Sequence, residues 1–144
     1  MNIRYTLKEA NQALKLVRVI AQEMLERRTD RRDLARERAK LEAAQTPEGL
    51  RSELAELDAR IYVHDEAIYN CTQELENLGL TILRSNPLTV HIPGRSLSLK
   101  ERASTSTSDN VVFCWQAGEE SVHYGHYLGE EELQRRVLRV AKGA

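Results

Sequence analysis

Aromatic residues are scarce in this chain of 144 residues: one Trp, one Phe and five Tyr amount to 5% of it. Its core must therefore be built mostly of Leu, Val, Ile and Ala, and with 30% charged residues this is the composition of an elongated helical protein. Cysteine is limited to Cys71 and Cys114, far apart and without C-x-x-C spacing. That excludes a disulfide framework and a paired-cysteine zinc site, and it points to reduced thiols in a cytoplasmic protein. No apolar run approaches the ~20 residues needed to cross a bilayer, because Val17-Arg18-Val19-Ile20 is flanked by charges within a few residues. A signal peptide is not expected, since Met1–Lys8 leads straight into amphipathic helix. No sign of charge dominates either. A net charge of −1 gives no general attraction to nucleic acid or to an anionic membrane. Nucleotide-binding G-x-G-x-x-G and G-x-x-x-x-G-K-[ST] are missing, as is H-E-x-x-H, so no cofactor is expected. The length suits one domain and is short for two.

What is present is helical periodicity. Thr6 and Glu9 have the T-x-x-E spacing of a capping box, which satisfies two orphan backbone N–H groups at a helix start. The first helix, over residues 6–45, carries a broad apolar stripe from Leu7 to Leu25, wider than one partner helix needs. Beyond Arg27 the stripe narrows and basic residues crowd in. No Gly or Pro interrupts the chain before Pro47. Gln45-Thr46-Pro47-Glu48-Gly49 is the break, with Thr46 suited to an N-cap and Pro47 to the first helical position.

The second helix, over residues 47–78, shows the clearest pattern in the sequence. Leu50, Leu54, Leu57, Ile61, His64, Ile68, Cys71, Leu75 and Leu78 alternate by four and three without a slip, as a coiled-coil seam does. Gly79 supplies a left-handed stop. So short a link folds the helices back on one another. Residues whose numbers add to about 91 or 92 then lie side by side, a coiled-coil register that sets Leu34 by Leu57, Met24 by Ile68, Val17 by Leu75, and His64 by Arg27 and Arg28.

After Gly79 the period falls to two. Leu80–Arg84, Leu88–Ile92 and Ser96–Lys100 read as short strands separated by turns at Asn86-Pro87 and Pro93-Gly94. Ala103–Asp109 reads as a mobile loop within the β segment of residues 80–127. A hairpin of Asn110–Gln116 and Ser121–Tyr127 follows, closed by a two-residue type II′ turn at Gly118-Glu119. That turn would set Cys114 across from His123, Phe113 across from Tyr124, and Trp115 across from Val122. A short helix over Glu130–Lys142 is expected last, with acids in its first turn and bases in its last. The fold class is α+β, mainly α: a long antiparallel two-helix hairpin, a small antiparallel β-meander and a C-terminal helix, all in one domain of residues 1–144.

The opening Tyr5-Thr6-Leu7-x-Glu9-Ala10-Asn11, the Glu74–Gly79 run ELENLG leading into a strand, and Cys114-Trp115 followed by Gly118-Glu119 and a strand ending in His126 resemble an uncharacterised prokaryotic family, the domain of unknown function numbered 2203. The order and spacing of these motifs carry the resemblance, from about Tyr5 to Glu130. It implies a helical hairpin with a small β segment and brings no activity with it. This chain has Gly125 and His91 where the family usually has tryptophan and an acidic residue.

Few residues offer chemistry. Cys114 across from His123 is the one arrangement resembling an activated nucleophile, but neither an orienting group nor an oxyanion site accompanies it. His91, His123 and His126 share the β segment with Cys114. Zinc needs three or four convergent ligands, however, and alternation sends His123 and His126 to opposite faces, so no metal site is expected. His64 on the seam reads as a register-setting polar residue. The basic run Arg27, Arg28, Arg31, Arg32, Arg36, Arg38 and Lys40 could follow phosphates. Asp30, Asp33 and Glu37 interleave with it and the second helix adds Glu53, Glu56, Asp58 and Asp65, which favours an ion-paired face over nucleic-acid binding. The surplus apolar surface of the helices, including Tyr62, Val63 and Tyr69 away from the seam, points to a non-catalytic scaffold that self-associates as a dimer or meets another protein. The competing reading is a small-ligand pocket or active site between the hairpin base and the β segment. Trp115, Glu119, Tyr124, His126 and Cys114 would gather there.

Overall fold

A computed structural model describes residues 4–44, 49–95, 110–127 and 136–137. Two long helices, α1 (Leu7–Ala43) and α2 (Gly49–Asn77), pack together and lead into an antiparallel sheet. The sheet holds β1 (Thr81–Ser85), β2 (Leu88–Arg95), β3 (Asn110–Gln116) and β4 (Tyr124–Tyr127) in chain order, with the two-residue β5 (Arg136–Val137) at the edge beyond β4. The chain falls into two compact units, one of Met1–Val19 with Leu75–Ala144 and one of Ile20–Glu74.

In the Ile20–Glu74 unit, the four-three pattern of α2 marks the side that is covered. Leu57 and Cys71 are buried, and Leu54, Ile61, His64 and Ile68 are half-buried. On α1, Ile20, Ala21, Met24 and Leu34 are buried. The register around His64 agrees with the sequence, because Arg27 Nη1 donates to His64 Nδ1 at 3.3 Å.

In the other unit, both helix ends that the sequence marks are made as expected. The Thr6 N–H donates to Glu9 Oε1 at 2.9 Å, and the Glu9 N–H donates to Thr6 Oγ1 at 3.1 Å. The hydrogen bond from the Thr6 backbone, helped by Arg95, holds the Glu9 carboxyl below its ordinary pKa. At the end of α2, Gly79 adopts φ of 87°. Its N–H donates to the Glu76 carbonyl at 2.9 Å and that of Leu80 donates to the Leu75 carbonyl at 3.0 Å. These two bonds make a Schellman motif, completed by the apolar residues it brings together, Leu75 and Leu80, both buried.

The sheet departs from the sequence reading in three places. Pro93 and Gly94 do not turn the chain; they continue β2. β1 reaches only to the Thr81–His91 pair. Beyond it Tyr5 takes the edge of β2, its N–H donating to the Pro93 carbonyl at 2.8 Å and its carbonyl accepting from the Arg95 N–H at 2.9 Å. The N–H that proline lacks falls on that edge of the strand, where proline is tolerated. Gly94 is tolerated for a different reason: a Cβ there would lie 2.7 Å from both Phe113 Cε2 and Val111 Cγ2.

The second departure is the β3–β4 connection, which is a seven-residue segment from Ala117 to His123 and not a two-residue turn. Its register pairs Cys114 with Tyr124, Phe113 with Gly125 and Val112 with His126. This is one residue away from the expected pairing, enough to change which partner every residue meets. The third concerns the C-terminal helix expected over Glu130–Lys142. Arg136 and Val137 are strand, paired with Gly125 and Tyr124. The charge gradient of that stretch imitates helix termini, while the open edge of β4 offers backbone partners that charge pattern cannot reveal. The rest of that stretch, the Ser96–Lys100 strand, the Ala103–Asp109 loop and the Thr46-Pro47 helix start lie outside the described residues.

Candidate functional site

The β segment was expected to hold the reactive residues, and strand pairing decides which of them meet. β2 and β3 set Val90 opposite Trp115, Ile92 opposite Phe113 and Gly94 opposite Val111 on one face. All six are buried. On the other face His91 lies opposite Cys114, which in turn lies opposite Tyr124 of β4. The imidazole beside Cys114 is therefore that of His91, while His123 stands in the connecting segment, exposed, with Nε2 2.6 Å from Ser121 Oγ. Cys114 is only 2% exposed. Of His126, the backbone pairing with Val112 is described.

Trp115 and Glu119, named above as residues of a possible pocket, tie the connecting segment together. The Trp115 indole N–H donates to the Glu119 carbonyl at 2.9 Å, and Glu119 Oε1 accepts the Gln116 N–H at 2.9 Å. The Glu119 N–H closes the turn onto the Gln116 carbonyl at 3.0 Å, with Gly118 at φ of 107° in the third position, where a type II turn needs a left-handed residue. Asn11, part of the opening motif but given no role by the sequence, finishes the job: its Oδ1 accepts the Val122 N–H at 2.7 Å. The Tyr5 hydroxyl donates to the Leu78 carbonyl at 2.6 Å, at the Schellman end of α2. Tyr5, Thr6, Glu9 and Asn11 are thus bound into the unit by hydrogen bonds. The advance signals for Asn11 were its place in the opening motif and its polar side chain in the second turn of a helix whose stripe is otherwise broad and apolar.

This arrangement bears on the thiol. Iodoacetamide should label Cys114 slowly in the folded protein at pH 6 to 7, because the thiol is buried. Neither His123→Ala nor His91→Ala should change that rate much, as read by mass spectrometry of the labelled peptide. Fast labelling at pH 6 that depends on either histidine would instead establish an activated thiolate. Cys71, buried in the helical unit, has its thiol pKa pushed up by burial and by the Glu23 and Glu74 carboxylates.

On the helices, three of the seven residues in the basic run of α1 pair with acids. Arg27 pairs with Glu23, Arg31 with Asp65, and Arg38 with both Asp58 and Glu42. The Asp58 hydrogen bond raises the pKa of Arg38 further. Among the described residues no group of three His, Cys, Asp or Glu side chains could hold a metal ion, and no helix is long and apolar enough to cross a membrane.

The feature left without a structural use is apolar. Tyr62 is 60% exposed, Val63 55% and Tyr69 63%, all on α2 away from its covered side. On α1, Leu16 is 51% exposed and Val19 65%. The Tyr62 hydroxyl donates to Glu66 Oε2 at 3.0 Å, one turn along the same face, and this bond raises the phenol pKa.

A family model described as an uncharacterized conserved protein, DUF2203, matches residues 4–138. Neither the curated proteins nor the solved structures give a significant match.

Proposed function

We propose, for a chain that belongs to the DUF2203 family of uncharacterized conserved proteins, a non-catalytic role: a cytoplasmic interaction or scaffold protein whose helical hairpin self-associates as a coiled-coil homodimer. The observation that carries this reading is the exposure of Tyr62, Val63 and Tyr69 on one helix. Large apolar side chains scattered singly need no explanation, but three within two turns of one helix form a patch of the kind that marks an interaction site. Aromatic side chains are also the residues that anchor interfaces, since they bury much area for little conformational entropy. A homotypic partner is the simplest cover, because a twofold-related copy presents the same patch.

Light scattering coupled to gel filtration at micromolar concentration should report about twice the mass of the 16.5 kDa chain. A species that stays at the monomer mass across concentrations would overturn self-association, and the patch would then require a different protein as its cover.

A further inference from the structure

The outward side of α2 carries a second repeat. Ala55, Ala59, Tyr62, Glu66, Tyr69 and Gln73 alternate by four and three, as the covered side does but on the opposite face of the helix. The first five are exposed. A four-three stripe opposite an occupied seam is the pattern of a helix that contacts two partners at once.

The order of residues within the stripe specifies the second partner. Small side chains stand at one end and large ones toward the other. Laid antiparallel against its own copy, with paired residue numbers adding to about 128, the stripe complements itself. Ala59 meets Tyr69 of the other copy, so a small residue receives a large one. Tyr62 meets Glu66, so a phenol O–H meets a carboxylate, repeating across the interface the hydrogen bond these residues make within one chain at 3.0 Å. Each contact occurs twice by symmetry, and the twofold axis passes at the level of His64. Val63, one residue from that axis and 55% exposed, meets its own copy. In this register Arg51 and Glu76, both exposed, face each other near the two ends. Asp65 comes close to its copy beside the axis, but each Asp65 is already paired with Arg31 of its own chain. A parallel arrangement would instead stack Tyr62 on Tyr62, Glu66 on Glu66 and Tyr69 on Tyr69, setting like charges together at the centre.

We infer that two copies of this chain associate through the outward faces of their α2 helices, antiparallel, with Ala59 of one against Tyr69 of the other; the inference rests on the self-association proposed above. A charge exchange tests it. Ala59→Glu and Tyr69→Lys should each weaken the dimer by at least about tenfold in analytical ultracentrifugation. An equimolar mixture should restore it as a heterodimer, because one Glu–Lys contact and one native contact then form. Both positions are exposed, and circular dichroism should show unchanged helicity. If each variant dissociates and the mixture stays dissociated, the antiparallel register is wrong. If both variants remain dimers like the unmodified chain, this face of α2 is not the interface, although self-association itself stands. A monomeric unmodified chain would overturn both proposals.

Discussion

Phe113→Ala is expected to lower the unfolding free energy of the sheet-containing unit by about 3–5 kcal/mol, the range of a large aromatic removed from a packed core. Phe113 has no exposed surface, pairs with Ile92 and is the largest of the fully buried side chains. Its neighbour across the strands sharpens the expectation. Gly94 has no room for a Cβ because Phe113 Cε2 and Val111 Cγ2 already lie within 2.7 Å of where it would stand. Gly94→Ala should therefore cost about 1–3 kcal/mol by overpacking. The double variant should cost clearly less than the two changes added together, since removing the ring vacates the space that the new methyl needs. Urea titration followed by fluorescence of Trp115, the sole tryptophan and 2% exposed, reads the unit in question. Strict additivity would show that the ring and the glycine do not share one packing space.

Helix structure was largely legible because its signals are local. The capping box needs only Thr6 and Glu9, and the Schellman stop needs only Gly79 with apolar residues on either side of it. The four-three run from Leu50 to Leu78 fixes the covered side of α2 within one segment. Strand pairing was less legible because its determinants are distant in sequence. Pro93-Gly94 reads as a turn until Tyr5, 88 positions earlier, is seen supplying the backbone partners that keep the strand going. Gly118-Glu119 has the composition of a tight hairpin, yet Trp115 and Asn11 hold a longer segment whose register differs by one residue. That single step exchanged His123 for Tyr124 as the β4 neighbour of Cys114. His91, set aside as a remote ligand candidate, proved to be its neighbour on β2. The outward apolar residues Tyr62, Val63 and Tyr69 were found by the same periodicity that located the seam.

Leu57→Ala is expected to cost about 2–5 kcal/mol, the range for deleting a buried leucine side chain beyond Cβ. The seam is narrow, so the cost depends on whether Leu57 is enclosed or merely shielded. It is 5% exposed, and Leu34, its partner in the antiparallel register, is 7% exposed. The flanking positions Glu56 and Asp58 are both exposed, so solvent lies one residue away on either side. A cavity at Leu57 has few large neighbours to collapse into it, because the nearest seam residues along α2, Leu54 and Ile61, are only half-buried. That places the cost toward the upper part of the range if the helices hold their positions, and toward the lower part if they draw together. Glu56→Ala on the same turn serves as the comparison and should stay within about 0.5 kcal/mol, as exposed substitutions do. Loss of helicity in urea, followed at 222 nm, reads the hairpin, whereas Trp115 reads the sheet. A midpoint for Leu57→Ala indistinguishable from that of Glu56→Ala would mean that the four-three stripe of α2 is not the side on which the hairpin closes.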